Sequence, residues 1–158
     1  MTASQRDGFA LWAAGSPKQA LEAIEQAERV QPNPANAIAA FLLADELGDT
    51  ARRDRLLDEL CSNLQRQVPR MVKIGRMMRD TLADGGKGSL DLAAVDTVLG
   101  AMPARTRGNA DFLVGRFLLN RGQVESARKY LQRAADSSQT HPGLRQIAAD
   151  SVRAPEAK

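Results

Sequence analysis

Small residues recur at matched intervals in two distant parts of the chain, and that recurrence limits the fold more than any other feature. Gly8, Leu11, Gly15, Ala20, Ile24 and Ala27 near the N-terminus are answered by Gly115, Leu118, Gly122, Ala127, Leu131 and Ala134 with the same separations. Glycine and alanine at fixed steps let two antiparallel helices approach closely, while the larger residues fill the gap between neighbouring pairs. Such self-similarity is the mark of a repeat architecture.

The local grammar agrees. Phe9 to Ala14 runs apolar up to Gly15, and Ser16-Pro17-Lys18-Gln19 follows. Ser16 and Gln19 have capping-box spacing, and Pro17 suits a first helical position. Ala20, Leu21, Ile24 and Ala27 then share one helical face, and Gln31-Pro32-Asn33-Pro34 ends that helix. Near the C-terminus, Phe112 to Leu119 leads into the turn Asn120-Arg121-Gly122, after which Ala127, Tyr130, Leu131 and Ala134 form the next stripe.

The positions Gly8, Leu11, Gly15, Ala20, Ile24, Ala27 and Pro32, and their C-terminal counterparts, resemble the signature of the tetratricopeptide-repeat family. The resemblance implies an all-α chain: a right-handed α-solenoid of about four antiparallel helical hairpins with a C-terminal capping helix. The units fall at 1–33, 34–67, 68–107 and 108–140, with the capping helix at 141–152 and a disordered tail at 153–158. Phe41, Ala44, Gly48, Leu57 and Leu60 fit the second unit, where Arg53 stands at a place that is usually a small alanine. Met71, Ile74, Gly75, Met78 and Leu82 open the third, continued by Ala94, Val98 and Ala101. The intervening Ala83-Asp84-Gly85-Gly86-Lys87-Gly88-Ser89 is longer than the family's tight turn and reads as an enlarged loop.

Composition supports helix: alanine and leucine carry the apolar weight, and aromatic residues make up only 4%. No run approaches the roughly 18 apolar residues of a membrane span. The opening Met1-Thr2-Ala3-Ser4-Gln5-Arg6-Asp7 lacks the order of a secretory leader, so the cytoplasm is expected if the chain is whole. Catalytic, cofactor and metal sites are not expected. Cys61 and His141 are the only residues of their kinds, too few for a zinc site, and His141 sits where a helix begins. Lys87 is followed by Gly88 rather than Ser or Thr, and no strand precedes it, so the glycine-rich loop is not a phosphate loop.

Binding by protein contact is therefore the expected function. In similar repeat proteins the first helix of each hairpin lines a concave groove that takes peptides. The resemblance places Phe9 and Trp12 there in the first unit, with Asn109, Phe112, Arg116, Leu119 and Asn120 in the last. Apolar anchors beside amide and guanidinium donors suit a peptide. No polar cap precedes the first hairpin, so either another domain belongs upstream or a partner or a second copy is expected to cover it, a second copy giving a homodimer. The alternative is an anion-binding or nucleic-acid-binding face made by Arg70, Lys73, Arg76 and Arg79, opposite the apolar side of one helix. The net charge of +3 gives this weak support, and no aromatic platform for bases accompanies it.

Overall fold

The computed structural model describes residues 2–83, 85 and 88–153. Within them the chain is all-α, with nine helices and no strand among the described residues. They are α1 (Ala3–Ala13), α2 (Pro17–Val30), α3 (Pro34–Leu47), α4 (Thr50–Asn63), α5 (Pro69–Ala83), α6 (Leu92–Gly100), α7 (Ala104–Asn120), α8 (Val124–Asp136) and α9 (Pro142–Arg153). Gly86 and Lys87 of the glycine-rich loop lie outside the described residues, as does the tail beyond Arg153.

Several helix starts have a local cause. Asn33, Asp49 and Asp91 accept a hydrogen bond from the backbone N–H three residues on, and Pro17 and Pro34 open α2 and α4's predecessor α3. Thr2 caps α1 in the same way. Ser16 does not: its side chain makes no capping bond, so the expected capping box is absent and Pro17 alone marks the entry.

Three of the connections share one turn. Ser16, Asp49 and Gln123 each donate their N–H to the carbonyl five residues back, on Leu11, Ala44 and Leu118. In each turn one glycine (Gly15, Gly48 or Gly122) has φ between 73° and 84°, which a side chain would strain. Matched close approaches follow. A Cβ on Gly8 would lie 2.6 Å from Ile24 Cδ1, and one on Gly115 would lie 2.6 Å from Leu131 Cγ. The recurrence read in the sequence is thus a recurrence of helix contact.

The third pair departs from this rule. Gly75 faces α4 rather than α6: a Cβ there would stand 2.8 Å from Cys61 Sγ, near Leu57 and Leu60. Cys61 is a free, buried thiol serving as packing. The short α6, of nine residues, leaves α5 packed chiefly on the preceding helix.

Helices adjacent in sequence pack on each other, and three further contacts join helices that are not adjacent: α3 on α7, α1 on α9 and α7 on α9. Hydrogen bonds fix their directions. Gln5 meets Asn36 near the starts of α1 and α3, and Trp12 meets Glu46 near their ends. Asn109 meets His141 near the starts of α7 and α9, and Arg116 meets Ser151 further along. The four inner helices α1, α3, α7 and α9 run in one direction. Among them α3 is buried on every side from Ile38 to Ala44, as an all-round apolar helix must be.

Candidate interaction site

Of the residues expected to line a groove, Trp12 meets Phe112 and Arg116, while Phe9 and Asn109 both meet His141. Phe9, Trp12 and Phe112 are buried. Trp12 meets Phe112 edge-on, with ring centroids 5.7 Å apart. Phe9 lies beside the His141 ring at 5.3 Å and so close to Gly143 that a Cβ there would overlap it. The last helix therefore covers the Phe9 side of α1.

The polar members of the set hold the inner helices in register. The Arg116 guanidinium on α7 pairs with Glu46 on α3, donates to Ser151 Oγ on α9 at 2.9 Å, and lies 5.3 Å from the Trp12 ring on α1. The Trp12 indole N–H also donates to Glu46, at 3.3 Å. One arginine thus joins four helices; burial lowers its pKa, opposed by Glu46. Asn120 donates to Asp45 at 2.9 Å and to the Leu42 carbonyl at 3.3 Å. Asn109 accepts the His141 N–H at 2.9 Å, and His141 Nδ1 in turn accepts from Gly143 N–H at 3.1 Å, which caps α9. Burial keeps that imidazole less basic than usual, as an acceptor ring requires. Leu119 is partly buried against the core.

Residues that the sequence did not single out complete this inner surface. Asp45 takes two hydrogen bonds from Arg121, at 2.7 and 2.9 Å, and Arg53 stands 3.9 Å away. The Arg121 guanidinium also stacks 3.6 Å from the Phe117 ring centre. Arg53 fills the place of the missing alanine with a charge that serves this cluster and Asp54. Its departure from the repeat pattern was the one available signal.

The inner surface reaches solvent at a mouth of about 220 Å³, bounded by Trp12, Ala13, Glu46, Arg116, Ile147, Asp150 and Ser151. Arg70, Lys73, Arg76 and Arg79 are all exposed on α5, and none of them lines the mouth. Arg79 pairs with Asp58 at 2.7 Å and Arg76 bonds Gln65 at 3.0 Å, while Arg70 and Lys73 make no ion pair with a described residue.

A second buried charge lies between α7 and α8. Burial pushes the Asp111 carboxyl up to about 6, despite Arg133 at 3.2 Å. The folded state therefore holds a proton that the unfolded chain releases near its ordinary 3.8. This group's stabilisation is full below the unfolded value and is lost as pH rises through about 6. Asp111→Asn is expected to abolish that slope. The gap in urea-unfolding free energy between wild type and variant should change by roughly 2–3 kcal/mol between pH 4 and pH 7, in the variant's favour at pH 7. Parallel curves would show that Asp111 titrates as it does in the unfolded chain.

No family model, no curated protein and no solved structure matches the chain. The fold defines its class: an all-α protein of successively packed helices, in which no described helix is long and apolar enough to cross a membrane.

Proposed function

We propose that this chain is a non-catalytic protein-interaction scaffold, a right-handed solenoid of tetratricopeptide-like hairpins that meets its partner at the mouth of its inner surface. The observation that carries this is the Arg116 node. It gathers α1, α3, α7 and α9 at one point beside an opening, with Trp12 in its wall. A tryptophan and an arginine held rigidly at the edge of a concavity are the residue types that dominate binding energy in protein interfaces. Rigid positioning reduces the ordering cost of association. The deeper residues Phe9, Phe112 and Asn120 support the mouth by holding the inner helices together, and are not themselves contacted.

Site-specific photo-crosslinking in the native cell tests this. A benzoylphenylalanine at Ala13, exposed on the rim, should give a discrete protein adduct that Arg116→Ala removes. The same group at Lys18, exposed but away from the opening, should give none. Equal adducts from both positions, or none from the rim, would refute the mouth as the contact surface.

A further inference from the structure

A slot on the outer side of the molecule has chemistry that the inner packing does not use. It lies between α2 and α4, encloses about 280 Å³, and is floored by Ala37 and Ala40 of α3. The floor is low because these two side chains are small, while Leu56 and Leu60 of α4 form an apolar wall. At the rim, Glu25 bridges the helices through Arg52 at 3.3 Å and Arg55 at 4.0 Å. Arg29, also on the rim, bonds Gln26 at 2.7 Å.

Two rim carboxylates remain, Glu28 and Glu59, and neither is ion-paired with a described residue, although Arg29 and Arg55 line the same slot. Glu28 accepts the Asn33 N–H at 3.3 Å, yet burial, with Glu59 nearby, still pushes its carboxyl up from the ordinary range. An apolar floor beside two such carboxylates is complementary to a cation carried next to an apolar group.

We propose that the slot docks a segment of a partner protein in which a lysine or arginine stands beside an apolar side chain. The cation sits between Glu28 and Glu59, and the apolar side chain rests on Ala37, Ala40 and Leu56. This rests on the interaction reading only in taking a protein as the partner, and it uses a different surface from the mouth.

The test uses the full chain, labelled with ¹⁵N, and short synthetic peptides carrying leucine next to lysine or arginine. Twin peptides carry glutamate in place of each cation. The expected result is a set of amide shifts at Ala37, Ala40, Leu56 and Leu60, seen with the cationic peptides and not with the acidic twins. Glu59→Lys, at an exposed position that makes no internal bond, should weaken that binding by ~10-fold or more. Glu28→Gln should weaken it less. No shifts, equal shifts from both peptide sets, or an unchanged affinity in Glu59→Lys would overturn the slot. So would peptide-free self-association that Glu59→Lys abolishes, because a second copy would then be the occupant. Shifts confined to Trp12, Ile147 and Ser151 would overturn the slot while supporting the mouth. Slot shifts without rim crosslinks would do the reverse.

Discussion

Asp45→Ala should be among the most damaging polar substitutions in the chain, costing about 3–5 kcal/mol. The Asp45 side chain is 5% exposed and takes hydrogen bonds from both ends of the Arg121 fork and from Asn120. Removing it leaves a largely buried guanidinium, stacked on Phe117, without its counter-charge. The Asn120 amide keeps only the Leu42 carbonyl. Because α3 and α7 meet here, the damage should spread to the packing between the two halves. Asp45→Asn keeps the shape and one acceptor, and should lose less. Urea unfolding followed by circular dichroism measures both variants. A loss below about 1 kcal/mol for the alanine variant would mean that the cluster behaves as an exposed surface pair.

Gly115→Ala should also destabilise, against the sign that helix propensity predicts. In an open helix this change gains about 1 kcal/mol. Here the added methyl would meet Leu131 Cγ at 2.6 Å and Leu131 N at 3.1 Å, and a backbone atom cannot rotate away. Overpacking of this kind costs about 1–3 kcal/mol, and a valine should cost more. Gly8→Ala, which would meet Ile24 in the equivalent place, should behave alike. Gly100→Ala has open space around it and should be neutral or mildly stabilising. If all three alanine variants gain stability in thermal melts, the close helix approach behind the repeat is wrong.

These two sites differ in how far a reader of the sequence could have found them. Gly8 and Gly115 were legible because close packing demands small residues, and a repeated demand leaves a repeated spacing. The same holds for the turn glycines Gly15, Gly48 and Gly122. Asp45 was not legible. Its partner Arg121 lies far along the chain, and nothing in a list of charges says which carboxylate will be buried against which arginine. Gly75 shows a subtler limit: the residue was identified as a close-approach position, but the sequence did not say which neighbour it approaches.

The meeting of α1 with α9 and of α3 with α7 was missed for a related reason. A helical stripe reports that one face is covered, not what covers it. The run Ile38 to Ala44 carried a stronger signal, since it is apolar on every side and such a helix must be surrounded. Phe9, Trp12 and Phe112 suit a peptide and suit each other equally well, and their spacing does not distinguish the two. Asp111 lies in an otherwise apolar stretch of α7, which was the available hint that a carboxyl there would be harder to ionise than usual.

The inner helices hold one another through Phe9, Trp12 and Phe112, and Trp12 reports on this directly because it is the chain's one tryptophan. Its fluorescence in the folded protein should be blue-shifted and shielded from acrylamide, and should become solvent-like on unfolding or in Phe112→Ala. Emission at the free-indole wavelength, freely quenched while the helices remain intact by circular dichroism, would contradict that closure.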